Sequence, residues 1–168
     1  MGEFKAYAVD CLLTGAMEFG GGRLSDQLDT VLLSPLRDAR LEDLADGHVV
    51  EVPELALEPD ELCAVVAQEP RGDLLRRLHT RTARVRAEAG PYQLEGTVHG
   101  TPASEPLALA LRRDSWVPMT DATVMYRRGN EDASDDVEVL LVNRHLLRHF
   151  READASLPEP SDGDGRDH

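Results

Sequence analysis

A short motif that occurs twice constrains the fold of this chain more than any other feature of its sequence. Residues 36–41 are Leu-Arg-Asp-Ala-Arg-Leu and residues 119–124 are Met-Thr-Asp-Ala-Thr-Val, and a proline precedes each copy. Both copies alternate apolar and polar side chains, which is the period of a strand with one buried face. We expect each copy to be the middle strand of a repeated unit, with its aspartate accepting hydrogen bonds where the strand begins.

The repeat extends well beyond the motif. Gly15 aligns with Gly96, 81 residues later, and Asp38 aligns with Asp121, 83 residues later. Residues 54–57 align with residues 138–141, and Leu62 aligns with Leu146, both at a separation of 84. A drift this small is what a tandem duplication with short loop insertions produces. An isolated glycine within a strand indicates a bulge or a sharp bend.

These observations predict a mainly β fold made of two duplicated small β-barrel units. We expect the first unit at residues 1–68, a short linker helix at 69–82 and the second unit at 83–150. Asp46-Gly47 predicts a hairpin turn, and residues 129–136 are predicted to form a long acidic turn. Residues 151–168 are rich in Asp, Pro, Gly and Ser, so we expect a disordered acidic tail.

Charge and composition disfavour several classes of partner. The net charge of −14 makes nucleic acid and anionic membranes poor partners, because both are bound through Lys and Arg. No apolar run is long enough for a transmembrane helix, and the amino terminus lacks the pattern of a signal peptide, so we expect a cytoplasmic protein. The absence of Ile, with Lys5 as the single lysine, is typical of GC-rich bacterial genomes. Only 4% of residues are aromatic, so the core should be aliphatic.

One basic cluster stands out in this acidic chain. Arginines concentrate in the predicted linker and at the start of the second unit, where they either pair with the protein's own acids or contact a partner. The candidate partner-binding or ligand-binding residues are Arg76, Arg77, Arg81 and Arg84, together with Asn143 and Arg144 in a later turn. Arg23 and Asp26 are candidates for ordering the loop that follows the glycines at 20–22, through side-chain to backbone hydrogen bonds.

No constellation of residues indicates catalysis. Cys11 and Cys63 lie in apolar runs, so they are expected to be small buried side chains. Two cysteines alone cannot hold zinc. His145 and His149 are four residues apart, but no acidic ligand is spaced to join them. We therefore expect no enzyme activity, no metal and no cofactor.

The second unit resembles an Sm-like small barrel in outline. Residues 92–98 form a strand with Gly96 at its bend, a long apolar strand follows, and a final pair flanks Asn143 and Arg144. The first unit resembles it more weakly. The resemblance implies a strongly bent five-stranded sheet. Sm-like domains that bind RNA carry an Asp and an Asn after the bend, and residues 100–106 lack both. The Arg-Leu-Ser-Asp-x-Leu segment at 23–28 also resembles small bacterial proteins of unknown function.

Three functions remain open at this level. The first is a non-enzymatic interaction or assembly module, in which exposed strand edges pair with a protein partner or with another copy. The second is an Sm-like RNA-binding or regulatory protein that uses the basic linker. The third is a cyclic dinucleotide sensor, since Arg77 and Arg81 have the spacing that PilZ-type receptors place before a barrel, although their second motif is absent here.

Overall fold

The fold is built on one antiparallel sheet. The computed structural model describes residues 2–18, 28, 34–67, 81–100, 106, 108 and 116–153. Ten strands pair into a single sheet, which confirms the mainly β prediction. They are β1 (Gly2–Ala8), β2 (Cys11–Met17), β3 (Leu36–Asp43), β4 (Val49–Leu55), β5 (Leu62–Val66), β6 (Arg81–Ala89), β7 (Tyr92–Gly100), β8 (Trp116–Arg128), β9 (Glu131–Asn143) and β10 (Leu147–Glu152). Short 3₁₀ turns at Pro59–Glu61 and Arg144–Leu146 precede β5 and β10.

The order of strands is the same in the two halves of the chain. Across the sheet it runs β10-β6-β7-β8-β9-β5-β1-β2-β3-β4. Each half thus places its fifth strand beside its first, and β9 of the second half pairs with β5 of the first. The prediction of two separate closed barrels is wrong, because this pairing makes one continuous sheet that is not closed. Residues 69–80 of the predicted linker helix lie outside the described residues, and Arg81 and Thr82 belong to β6.

In each half, the recurring glycine and aspartate lie on opposite strands of a β-bulge. In the first half, Gly15 of β2 faces two residues of β3, because Thr14 pairs with Arg40 and Ala16 pairs with Arg37. In the second half, Gly96 faces residues 121–122 of β8 in the same way. The φ angles of Asp38 and Asp121 are 51° and 47°, a left-handed conformation that aspartate tolerates better than most residues. The recurrence of Asp therefore has a cause in the backbone.

Steric contacts explain why glycine recurs at the bulge. A Cβ atom on Gly15 would lie 2.7 Å from Leu36 Cγ and 2.8 Å from the carbonyl oxygen of Arg37. A Cβ atom on Gly96 would collide with the side chain of Met119, which is the counterpart of Leu36. The tight bend thus brings the apolar residue of the repeated motif directly over the glycine.

Strand pairing corrects the sequence alignment of the repeat by one residue. Leu36 faces Leu55 and Met119 faces Leu140, so the counterpart of Leu55 is Leu140 rather than Val139. By the same argument Leu62, which faces Ala8, corresponds to Leu147, which faces Ala89. Sequence similarity alone could not detect this slip, because several neighbouring residues in β9 are apolar. In a strand the difference matters, since one residue reverses the face on which a side chain lies.

Two turn predictions had different outcomes. The Asp46-Gly47 turn is confirmed, with Gly47 at a φ angle of 76° between β3 and β4. The long acidic turn at 129–136 is wrong, because β9 begins at Glu131 and pairs with β8 from there. The acidic residues are tolerated in this hairpin because most of their side chains are exposed.

The core is shared between the halves. One cluster of buried residues lies mainly under the second half but includes Tyr7, Leu12 and Cys63 from the first. The other lies under the first half and includes Trp116 and Leu141 from the second. Leu, Val and Ala dominate both clusters, although buried aromatic side chains also contribute. Because each cluster draws on both halves, the halves are expected to fold cooperatively.

Candidate functional site

Apolar strands join the two halves. Ala64, Val65 and Val66 of β5 pair with Val142, Leu141 and Leu140 of β9. The pairing extends by one hydrogen bond, in which the amide of Ala67 donates to the carbonyl of Val139 at 2.9 Å. All of these side chains are buried except that of Val66, which is half-buried. Full burial of one Val or Leu side chain contributes about 1.5–3 kcal/mol, so this joint is not expected to open without unfolding.

A cluster of three tyrosines reinforces the joint. The rings of Tyr7 and Tyr92 are 5.3 Å apart, and those of Tyr92 and Tyr126 are 5.9 Å apart. The hydroxyls of Tyr7 and Tyr126 both donate to Asp135 Oδ2, at 2.9 and 3.2 Å, while Tyr92 donates to the carbonyl of Ala8 at 2.6 Å. Burial raises the pKa of all three phenols above the ordinary value. They therefore remain protonated donors at neutral pH.

A polar contact links the β3–β4 hairpin of the first half to the β8–β9 hairpin of the second half. The Arg128 guanidinium on β8 forms an ion pair with Glu42 on β3. Beside it, the amide of Gly129 donates to the carbonyl of Leu44 at 2.8 Å. The β3–β4 and β8–β9 turns, which occupy the same place in their respective halves, therefore contact each other.

The counterparts of the joined strands are the two edges of the sheet. By position in the repeat, β4 corresponds to β9 and β10 corresponds to β5. Within the described part of the chain, β4 pairs only with β3 and β10 only with β6. Each edge thus presents backbone N–H and C=O groups on one side, which is the usual template for pairing with another strand.

The edges differ from the joint in chemistry. Strand β4 and the residues after it carry Glu51, Glu54 and Glu58, all of which are exposed. Strand β10 carries the exposed residues Arg148, Arg151 and Glu152, so its basic side chains outnumber its acidic one. One edge is therefore acidic and the other is richer in cations, whereas the β5–β9 joint is apolar. Charged side chains at an edge keep it soluble when it is unpaired.

The candidate residues of the second half have structural contacts. Arg84 donates to the carbonyl of Asp121 at 2.8 Å and lies 3.4 Å from Glu95. Asn143 is buried, where its amide nitrogen donates to the carbonyl of Leu62 at 3.0 Å and its oxygen accepts from the amide of His145. Asn143 therefore caps the 3₁₀ turn and ties it to the first half. Arg144 lies half-buried in the same turn, next to Asn143.

The remaining candidates lie wholly or partly outside the described residues. Arg23, Asp26, Arg76 and Arg77 lie outside the described residues, and of Arg81 the structure describes the backbone, at the start of β6 opposite Gly100. The proposals that rest on these residues, RNA binding by the basic linker and cyclic dinucleotide sensing, stay predictions.

Neither cysteine has the environment of a reactive thiol. Cys63 is fully buried and Cys11 is half-buried, and both are free thiols. Burial raises the pKa of Cys63 to about 11, and burial together with the nearby Asp10 carboxylate raises the pKa of Cys11 to about 12. A reactive cysteine requires a lowered pKa, so these thiols are expected to be inert.

The histidines in the described part of the chain are dispersed. His145 lies in a 3₁₀ turn and His149 lies in β10, 3.8 Å from Glu88. The Nε2 atom of His99 is 2.7 Å from the hydroxyl of Thr120. Among the described residues, no three His, Cys, Asp or Glu side chains group as metal ligands would. In the same residues, no helix has the length and apolarity needed to cross a membrane.

Comparisons with protein-family models, with curated proteins and with solved structures found no match to this chain. The features that stand out in the structure are the two open edges, which were not among the candidate residues predicted from the sequence. The repeat could have indicated them, since the sequence of residues 147–152 differs in charge from that of its counterpart, residues 62–66. Recognising that difference requires the correct register, which only strand pairing provides.

Proposed function

We propose that this protein is a non-enzymatic assembly module, in which two tandem Sm-like units associate head to tail with further copies of the chain. The observation that carries this proposal is the β5–β9 joint. It is a junction between the fourth strand of one half and the fifth strand of the other. The open edges β4 and β10 are the other fourth and fifth strands, so a second copy can repeat the same junction.

The internal joint supplies a register for that contact. Val66 pairs with Leu140 in the joint. The counterpart of Leu140 is Leu55, and the counterpart of Val66 is Arg151, because Arg151 faces Arg86 at the matching position of the second half. The proposed junction therefore sets residues 149–151 of one copy beside residues 55–57 of the next. Pro53 lies outside this segment, so its missing N–H does not interrupt the pairing.

Charge supports the same orientation. Glu54 and Glu58 flank the segment 55–57, and Arg148 and Arg151 lie at the facing edge. Head-to-tail pairing brings the acidic edge of one copy to the basic edge of another, whereas two β4 edges or two β10 edges would repel each other. Complementary charge of this kind selects partners and orientation more than it adds affinity.

A head-to-tail contact is heterologous, since different surfaces of each copy meet. Such contacts form closed rings when the rotation between neighbours closes, and open filaments otherwise. The bulges at Gly15 and Gly96 bend their strands, and we expect the resulting curvature of the sheet to favour closure into a ring. On this proposal one chain supplies two neighbouring positions of the ring.

The proposal is tested by measuring the molar mass of the protein with light scattering on a sizing column. We expect a defined multiple of the mass of one chain. Ala56→Lys places a charge in the middle of the proposed junction on an exposed side chain and should lower the mass. Val9→Lys changes an apolar side chain that is 51% exposed in the β1–β2 turn and should leave it unchanged. A wild-type protein that is monomeric at micromolar concentration would contradict the proposal.

A further inference from the structure

A groove on the outer face of the second half is lined by both basic and acidic side chains. It has a volume of about 440 Å³ and crosses strands β10, β6, β7 and β8. Its ionisable lining residues are Arg86, Glu88, Glu95, His149 and Arg151. This volume is within the range of small-molecule sites. Acidic residues outnumber basic ones in this chain by 32 to 18, yet the groove places two arginines on neighbouring strands.

The two arginines are directly opposite each other on neighbouring strands. Arg151 of β10 faces Arg86 of β6, and Arg86 in turn faces Glu95 of β7. Side chains in such cross-strand positions have Cβ atoms about 5 Å apart, and like charges placed there are destabilising. Arg86 is compensated, because its Nε atom is 2.8 Å from Glu95 Oε1. Among the described residues Arg151 has no ion pair.

The carboxylates of the groove have partners other than Arg151. Glu95 is shared between Arg86 and Arg84, and hydrogen bonding from Arg86 lowers its pKa. Glu88 Oε2 lies 3.8 Å from His149 Nε2. An anion placed between Arg86 and Arg151 would therefore relieve the repulsion between them and accept hydrogen bonds from both guanidinium groups.

Two further features indicate that the groove takes more than a bare anion. Met125 lines it with a side chain that is 37% exposed, which is unusual for a large apolar residue in this protein. His149 contributes to the lining from a left-handed backbone conformation, with a φ angle of 54°. This conformation belongs to the β-bulge between Arg148 and Arg151, and bulges often change the direction of a side chain beside a site.

We infer that this groove binds a small organic anion, with its carboxylate or phosphate between Arg86 and Arg151 and its apolar body against Met125. The inference does not require the assembly proposed above, because Arg86 and Met125 lie on strands that have neighbours on both sides, although His149 and Arg151 also belong to the β10 segment of the proposed junction. Glu88 and Glu95 at the same groove disfavour highly charged polyanions. The ligand is therefore expected to carry one oxyanion group.

The test is a titration of the full chain with phenyl phosphate, benzoate and inorganic phosphate at low salt, followed by calorimetry and by the NMR signals of the His149 ring. We expect phenyl phosphate or benzoate to bind more tightly than inorganic phosphate and to shift the His149 signals. The stronger of the two identifies the oxyanion. Arg86→Gln should weaken binding about tenfold, as expected when a charged hydrogen bond is lost. Arg127→Gln, an exposed arginine in the β8–β9 hairpin, should not change it.

Absence of binding by all three probes at millimolar concentration would overturn the inference. So would binding that leaves the His149 signals unchanged, or binding to Arg86→Gln with wild-type affinity. Equal binding of phenyl phosphate and inorganic phosphate would overturn the assignment of an apolar body to the ligand. The NMR readout on wild-type protein keeps the test valid if Arg86→Gln folds poorly.

Discussion

Strands β5 and β9 meet within one chain through Ala, Val and Leu, whereas their counterparts β10 and β4 carry Arg and Glu and, in the described part of the chain, each have a neighbour on one side only. Position in the fold is the same, but the chemistry differs. An apolar joint suits a contact that forms during folding and never opens. Charged edges suit a contact between separate copies, because each copy must also be soluble alone. The comparison predicts that the two kinds of junction respond differently to mutation.

Truncation within the joint should have the largest effect on stability. Leu141 is buried between the halves, and Leu141→Ala should lower the free energy of unfolding by about 2–5 kcal/mol, the usual cost of a cavity in a core. Leu55→Ala, on the open edge where the side chain is half-buried, should cost clearly less. Urea denaturation of both variants measures the difference. Equal losses would remove the distinction between joint and edge.

Substitution at the bulge should have the next largest effect. Gly15→Ala places a Cβ atom within 2.8 Å of the Arg37 carbonyl oxygen, and overpacking of this kind costs about 1–3 kcal/mol. Gly129→Asn is the control, because its left-handed φ of 62° is accessible to Asn and the nearest atom is 3.9 Å from the added Cβ. Thermal unfolding should separate the two variants. A neutral Gly15→Ala would contradict the role assigned to the glycine.

The tyrosine cluster should have a smaller effect that is specific to hydrogen bonding. Tyr92→Phe keeps the ring but removes the hydroxyl that donates to the carbonyls of Ala8 and Cys11. Leaving buried acceptors unpaired costs about 1–3 kcal/mol. The loss should appear in urea denaturation, with no change in the slope of the transition. Unchanged stability would indicate that water replaces the hydroxyl.

The same cluster predicts a modest loss of stability at alkaline pH. Burial raises the pKa of Tyr7, Tyr92 and Tyr126 in the folded state, whereas in the unfolded chain tyrosine titrates near its ordinary value of about 10. As the pH rises, the unfolded state therefore releases these protons first. The free energy of unfolding keeps its full value below a pH of about 10 and falls as the pH rises above it. The fall should be shallower in Tyr92→Phe. An identical slope in both proteins would exclude Tyr92 from this effect.

Much of the strand pattern could be predicted from the sequence. The repeated Asp-Ala motif located β3 and β8, and the alternation of apolar residues indicated a mainly β chain. Local signals of this kind depend on neighbouring residues, which the sequence displays directly. The cause of the Asp recurrence could not be predicted, because it depends on Gly15 and Gly96 facing Asp38 and Asp121 across a bulge.

The open edges and the outer groove could not be predicted, because both depend on contacts between distant parts of the chain. The sequence does not show that β9 pairs with β5, so it does not reveal which strands remain unpaired. The alignment also missed the register of β4 by one residue, since Val139, Leu140 and Leu141 are equally apolar. Arg86 and Arg151 are 65 positions apart, and only strand pairing brings them together.

The central claim, that β4 of one copy pairs with β10 of the next, is tested most directly by exchanging charges between the two edges. One variant carries Arg148→Glu and Arg151→Glu, and the other carries Glu54→Arg and Glu58→Arg. In each variant alone both edges have the same sign, so light scattering should give the mass of one chain. An equimolar mixture restores opposite signs at every junction and should recover the wild-type mass. Variants that keep the wild-type mass alone, or a mixture that stays monomeric, would contradict the account.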